Sequence, residues 1–368
     1  MLTRIELSRG NALHNVRQFR ELLHPDVAIA CVVKGNAYGH GLEEMVRILE
    51  DEVDYFQVDD LAELRRLRQW SGKPCLVLGY VATSELSEAV ELGCELAVYD
   101  LGRLEILQRM PRRARVHLKL DIYLGRQGVL ERDLDAFLQR AREFDNVEFV
   151  AAYTHFANIE DTGDRAHARA QIDGFRRAMR QIEVAGLTLR THLSSTSGAL
   201  AYERELGQNA IVRIGLGTYG MWPSEMLRAQ NENLQLRPVM RWVTHVAQVK
   251  LMPPKYPIGY GLTYRTAGET RVAIIPQGYS DGYLRALSNR GSVLIRGTRC
   301  RVLGRVAMNM FAVDVSHLPD LRAEEEVVLL GAQGDDEISA EQLAEQIGTI
   351  NYEVTTLVSP LLPRIVTE

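Results

Sequence analysis

The sequence predicts an α/β chain in two parts, a (β/α)8 TIM-type barrel over residues 1–229 and a mainly β C-terminal domain over residues 230–368. Three observations carry this expectation. The 368 residues exceed the size of one ordinary compact domain. Up to about residue 230, short apolar, β-branched runs alternate with longer stretches of helical period. Beyond Pro223 the texture turns to denser glycine and proline with short strand-like runs.

The first part contains eight such runs, near Val27–Val33, Tyr55–Val58, Cys75–Gly79, Leu96–Tyr99, Val116–Leu120, Glu148–Tyr153, Leu189–Leu193 and Ile211–Ile214. Between them, Leu61–Trp70, Asp133–Phe144 and Arg165–Val184 place apolar residues three and four apart, the spacing of a helix with one buried face. Eight strands each followed by a helix point to a closed parallel barrel, with an open doubly wound sheet as the alternative. In the second part the runs are Val243–Val249, Val272–Ile275, Val293–Ile295, Phe311–Val315 and Val327–Leu330. One helix is well signalled there, because Ser339 and Gln342 form a capping box ahead of Leu343, Ala344 and Ile347.

Composition narrows the function. With 46% hydrophobic and 25% charged residues and no apolar run long enough for a bilayer, a membrane protein is not expected. The opening Met1-Leu2-Thr3-Arg4-Ile5-Glu6 lacks the apolar core of a secretory leader, which suggests the cytoplasm. A net charge of -5 without a basic block gives no footprint for nucleic acid. Cys31, Cys75, Cys94 and Cys300 are widely spaced and read as buried free thiols, and the nine histidines include no His-Glu-x-x-His pair, so no metal is expected.

In such a barrel the reacting groups sit at the C-terminal ends of the strands. The first run leads into Cys31-Val32-Val33-Lys34-Gly35-Asn36-Ala37-Tyr38-Gly39-His40-Gly41. A lysine in an apolar setting gives up part of its preference for the charged form, and a neutral amine can bond an aldehyde; position alone also fits the first solvated residue after a strand. This stretch closely resembles the pyridoxal-phosphate lysine motif of the alanine racemases, and the likeness runs from His14-Asn15 almost to Arg364. The resemblance implies a (β/α)8 barrel, a C-terminal β domain, pyridoxal 5'-phosphate as cofactor and a homodimer with shared active sites. It makes Lys34 the Schiff-base lysine and one of two proton-transfer bases, with Tyr38 at the cofactor phosphate.

The remaining strand ends carry further matches. Arg126 matches the family arginine that bonds the cofactor phenolic oxygen and the substrate carboxylate, a task for a planar, permanently charged fork. Lys119 matches a lysine often carbamylated to hold that arginine. Ile122-Tyr123-Leu124 departs from the family's usual Thr-Gly-Met. His155, in Tyr153-Thr154-His155-Phe156-Ala157, matches the histidine that packs on the cofactor ring and bonds the catalytic tyrosine. Thr196 keeps the hydroxyl of a phosphate contact, while Ser195 stands where the family has asparagine.

After the eighth run, Gly215, Gly217 and Gly220 satisfy the dinucleotide pattern Gly-x-Gly-x-x-Gly. Met221-Trp222-Pro223 breaks the helix that pattern must open, and Gln235–Met240 lacks the acidic residue expected about 20 positions on. By resemblance Arg213 faces the pyridine nitrogen, while Gly215 and Leu216 contact the phosphate. In the second part, Ile258–Tyr264 and Gln277–Tyr283 match long family motifs, making Tyr264 the second base and Tyr279 a residue lining the site from the partner subunit. Met308 matches the residue whose N–H meets the substrate carboxylate, with Asn309 in place of the family's aspartate, and Tyr352 matches a phosphate contact.

The expected activity is therefore alanine racemisation. The alternatives are an amino-acid racemase of broader or altered specificity, suggested by Ile122–Leu124, Ser195 and Asn309, and a cofactor-binding paralogue without turnover. The sequence leaves open whether the product serves wall synthesis or catabolism.

Overall fold

The computed structural model describes residues 2–206 and 209–368. Eight parallel strands, Ala28–Val32, Tyr55–Val58, Cys75–Val77, Glu95–Val98, Ala114–Asp121, Val147–Tyr153, Arg190–His192 and Ile211–Ile214, follow one another around a barrel in chain order. The last strand pairs with the first, from Ile211 opposite Ala28 to Ile214 opposite Cys31. That pairing removes the free edge an open sheet would have. At the seam between the seventh and eighth strands, Ala210 N donates to the Thr191 carbonyl at 2.9 Å and Arg213 N to the Ser194 carbonyl at 3.1 Å.

The three helices expected between the strands are present with shorter ends, Leu61–Leu67, Leu134–Ala141 and Ala166–Val184, and Leu42–Leu49, Leu86–Glu91, Leu101–Gln108 and Thr196–Leu206 join them. Asp60 starts Leu61–Leu67 by accepting from Glu63 N at 2.9 Å. Each of the three expected helices turns a buried stripe inward, for example Leu134, Phe137, Leu138 and Ala141. The four cysteines are buried and unpaired. Among the described residues no helix is long and apolar enough to cross a membrane.

The C-terminal part is built on one long sheet. Its strands run in the order Gln248–Met252, Thr270–Ile275, Phe311–Asp314, Thr298–Leu303, Ser292–Ile295, Glu326–Gln333, Met240–His245, Arg4–Ser8 and Arg364–Thr367. Arg4–Ser8, expected with the barrel, belongs here, antiparallel to Met240–His245 and parallel to Arg364–Thr367. The reason is its strict alternation: Ile5 and Leu7 are fully buried while Arg4, Glu6 and Ser8 face outward. The expected run Val243–Val249 divides into two strands. Val246 N bonds the Glu325 carbonyl and Ala247 N the Ile274 carbonyl, so the chain changes neighbours in the middle of the run. Thr298–Leu303 escaped notice because Arg299 and Arg301 interrupt its apolar positions, and Arg364–Thr367 because it is four residues long and largely exposed.

The two parts are stitched together by buried polar contacts. Asn15 donates to the Thr218 and Arg237 carbonyls at 3.2 and 2.8 Å and accepts from Arg237 N at 2.8 Å. Arg364 Nη2 donates to the Gly39 carbonyl at 2.8 Å, which ties the last strand to the loop that follows Lys34. The helix Ala340–Ile347 has the expected capping box, with Gln342 N donating to Ser339 Oγ at 3.2 Å and Ser339 N to Gln342 Oε1 at 3.4 Å. Ser339→Ala should therefore lower unfolding free energy by about 1 kcal/mol. Urea denaturation measures this, and an unchanged midpoint would remove the cap from the account.

Candidate active site

The site begins with an unusual piece of backbone. Directly after Lys34, Gly35, Asn36, Ala37 and Tyr38 have φ values of 63°, 54°, 54° and 53°, a turn of left-handed helix. Each L-residue in that conformation costs roughly 1–2 kcal/mol, because its Cβ crowds a carbonyl oxygen. The surroundings hold it in place. Asn36 N donates to Glu63 Oε1 at 3.0 Å, Leu42 N to Asn36 Oδ1 at 3.1 Å, and Ala37 is fully buried. At Gly39, with φ of 84°, a Cβ would stand 1.9 Å from the Thr355 carbonyl oxygen, so the helix Asn351–Thr356 of the β domain packs directly on the turn.

This turn forms one wall of a cavity of about 810 Å³ at the C-terminal end of the barrel strands. Ten of the residues singled out from sequence line it together: Lys34, Tyr38, Lys119, Arg126, His155, Thr196, Arg213, Gly215, Leu216 and Tyr352. Lys34 Nζ is half-exposed and lies 3.2 Å from Asp59 Oδ1. On one side is a cup of polar groups. Thr196 opens a helix, Thr196–Leu206, and its hydroxyl accepts from Gly215 N at 3.1 Å and Gly217 N at 3.3 Å. The glycine triplet thus enters a short 3-10 turn, Leu216–Tyr219, and opens no α-helix. Ser197 Oγ and the Tyr352 hydroxyl both donate to Glu160 Oε1, at 2.7 and 3.3 Å.

The floor of the cavity is Arg213, 4% exposed. Its Nη2 donates to the Thr154 and Leu193 carbonyls and to His155 Nδ1 at 3.1 Å, and its Nη1 donates to His192. Because a guanidinium can only donate, His155 Nδ1 must accept, and the neutral ring then carries its proton on Nε2. Burial, together with the charges of Arg213 and Arg126, pushes the His155 imidazole down to about 3. Burial also lowers Arg213 to about 10, which leaves it protonated at neutral pH.

Arg126 is placed by a carboxylate that sequence reasoning passed over. Asp121 ends the fifth barrel strand and accepts from Leu124 N, Gly125 N and Arg126 N at 3.0, 3.0 and 2.9 Å, folding residues 121–126 into a tight loop. In that loop Tyr123 has φ of 56°, which accounts for glycine at this place in the related pattern. Tyr123 is exposed and its hydroxyl accepts from Arg177 Nη2 at 3.3 Å. Lys119 Nζ donates to Gln127 Oε1 at 3.2 Å. Asp59, Glu63, Asp121 and Glu160 were the residues missed; Asp59 and Asp121 could have been found by reading every strand end for carboxylates.

Tyr264, Tyr279 and Met308 do not line the cavity. Tyr264 pairs with Ile258 in a small hairpin, and Tyr279 N donates to the Ala307 carbonyl at 3.1 Å, beside Ser280 N on the Met308 carbonyl. Asn309 Nδ2 donates to Ser280 Oγ at 2.7 Å. Tyr279, Met308, Met310, Tyr260 and Leu262 are all exposed, so this part of the β domain presents an uncovered apolar surface.

A parallel barrel with an amine, a polar cup and fixed cations gathered at its strand C-termini, and a β domain packed on the amine-bearing loop, is an enzyme of the two-domain barrel class. Models of the alanine racemase N-terminal domain and C-terminal domain match residues 7–223 and 239–366. An alanine racemase of Syntrophobacter fumaroxidans is 36% identical over 356 residues, covering 95% of this chain and 93% of its own length. One from Methanococcus maripaludis is 34% identical over 368 residues, covering 98% and 97%. Among solved structures, the Bacillus anthracis alanine racemase with bound L-Ala-P superposes with a TM-score of 0.92 at 31% identity, over 100% of this chain and 95% of its own. The chain belongs to the alanine racemase family of enzymes.

Burial and the neighbouring charges of Arg126, Arg213 and Lys34 push Lys119 down to about 8, so its amine is protonated below that pH and neutral above it. In protein whose lysines carry 13C-methyl labels, one resonance, lost in Lys119→Met, should titrate near pH 8, well below ordinary lysine at about 10.4. Titration in the ordinary lysine range would contradict this reading of the cavity's electrostatics.

Proposed function

We propose that this protein is a pyridoxal 5'-phosphate-dependent alanine racemase that interconverts L- and D-alanine with two bases, Lys34 and Tyr264 of the partner subunit. One observation carries the reading: Lys34 shares a single cavity with a polar cup and a donor-bearing floor, whereas Tyr264 lies outside it near an exposed apolar surface.

The residues fit the cofactor. Gly215 leaves open a space that a Cβ, 2.7 Å from Tyr38 Oη, would fill, and backbone N–H groups at the Thr196 helix and the Leu216 turn suit a phosphate. Tyr38, Thr196 and Tyr352 would add hydroxyls there. Arg213 has both Nη groups bonded to protein, leaving its Nε–H for the pyridine nitrogen. When bound, the cofactor supplies an aldehyde for the amine and a ring that acidifies the substrate Cα–H.

The chain's own groups then divide the work. Lys34 Nζ takes or returns the Cα proton on one face, and the hydroxyl of Tyr264 of the partner subunit does so on the other, so the substrate need not turn over. The fork of Arg126 holds the substrate carboxylate, helped by the Met308 N–H and by Tyr279 from the surface that carries Tyr264. The Nε2–H of neutral His155 is available to the Tyr264 oxygen. Arg213, protonated at neutral pH, would offer the pyridine nitrogen a hydrogen bond without giving up its proton, which would favour simple return of the Cα proton over side reactions. Lys119, with its depressed proton affinity, is suited to become a carbamate that braces Arg126. In protein with unmethylated lysines, 13C-bicarbonate should then give a carbamate carbonyl resonance that is lost in Lys119→Met; its absence from fully active protein would exclude the carbamate.

The two-base, two-subunit reading is tested by mixing variants. Lys34→Ala and Tyr264→Phe should each give a nearly inactive homodimer when alanine enantiomers are followed by chiral chromatography. After subunit exchange, the heterodimer has one site with both bases intact and should recover at most about half the wild-type activity. No recovery after exchange is verified by mass spectrometry would contradict a shared site.

A further inference from the structure

Beneath Arg213 the barrel interior holds a continuous chain of hydrogen bonds that the proposed reaction does not use. Arg213 Nη1 contacts His192 Nδ1 at 3.0 Å, His192 Nε2 contacts His117 Nδ1 at 2.9 Å, and His117 Nε2 contacts Glu95 Oε2 at 2.6 Å. Glu95, His117 and His192 are fully buried. They come from the fourth, fifth and seventh barrel strands and Arg213 from the eighth, so the chain crosses the barrel from the cavity floor toward the N-terminal ends of the strands. At that end Arg115, half-exposed, places Nη1 2.8 Å from Glu95 Oε1.

The two ends dictate every proton between them. A guanidinium only donates, so His192 Nδ1 accepts and His192, neutral, carries its proton on Nε2. That proton goes to His117 Nδ1, which forces the His117 proton onto Nε2, where the carboxylate of Glu95 accepts it. Burial holds both imidazoles in the neutral form this order requires. Packing fixes the planes: Tyr153 stacks on His192 with ring centroids 4.5 Å apart and 11° between planes. Reversing any one bond would set two donors or two acceptors face to face in a dry interior.

We propose that Glu95 is a positioning residue for Arg213, acting through His117 and His192 to lock both tautomers and so hold the guanidinium in register at the cavity floor. It never touches substrate. The inference rests on the racemase reading for its kinetic consequence but not for the hydrogen-bond order, so the two fail separately.

The test combines 15N-histidine NMR of the cofactor-free protein with kinetics of the loaded enzyme. In wild type at neutral pH, His117 and His192 should both be neutral with the proton on Nε2. Glu95→Ala should disturb both histidine tautomers and lower kcat by about tenfold, the rate equivalent of one buried hydrogen bond, with KM little changed. Glu95→Gln keeps an acceptor and should restore the tautomers and most of the rate. A wild-type His192 protonated on Nδ1, or a charged imidazole at either position, would overturn the proposal whether or not a variant folds. So would an unchanged kcat in folded Glu95→Ala, or a Glu95→Gln protein as slow as Glu95→Ala. An inactive wild type with the expected histidine spectrum would instead remove the racemase reading and leave the hydrogen-bond order standing.

Discussion

The site depends on the left-handed turn from Gly35 to Tyr38. L-residues do not stay in that conformation unaided. Here the turn is clamped from three directions: Glu63 from the helix Leu61–Leu67, the carbonyl of Thr355 from the β domain, and Arg364 at the chain's last strand. The same clamp sets two side chains at once. Lys34 leaves the first strand into the cavity, and Tyr38 is turned back toward Gly215 and the ring of Tyr352, 6.0 Å away between centroids. The β domain therefore completes the amine-bearing loop of its own barrel, apart from whatever it offers a partner.

Charge is the second organising principle. Lys34, Lys119, Arg126 and Arg213 share one cavity whose carboxylates lie mainly on its walls, at Asp59, Asp60, Glu63 and Glu160. Burial first, and the crowded cations after it, disfavour further protonation, which is why Lys119 and His155 are both shifted toward their neutral forms. Arg213 is lowered by the same burial but, as a guanidinium, starts high enough to stay protonated, and carbonyls and imidazole nitrogens take up its donors. A neutral imidazole above a charged guanidinium is a combination that burial and hydrogen-bond direction produce together.

The barrel was legible because parallel strands buried on both faces leave runs rich in apolar and β-branched residues, broken at few positions, and all eight were found within a few residues of their ends. The β domain was less so. Thr298–Leu303 mixes Arg299 and Arg301 with buried Cys300 and Val302, and Arg4–Ser8 alternates so briefly that it reads as a prelude to the first helix. Within the site, individual residues were legible through resemblance, while the contacts that place them were not. Nothing in local sequence says that Asp121 will collect three backbone N–H groups, or that Glu95, His117, His192 and Arg213 will meet across the barrel. Those contacts arise only when the sheet closes.

The central claim is that the cavity built on this turn presents the Lys34 amine to an aldehyde cofactor. Borohydride reduction of the protein loaded with pyridoxal 5'-phosphate, followed by peptide mapping, tests it most directly. A pyridoxyl group on the peptide containing Lys34 is the expected result. An adduct on Lys119 or any other lysine, or none at all in protein shown to hold the cofactor, would contradict it.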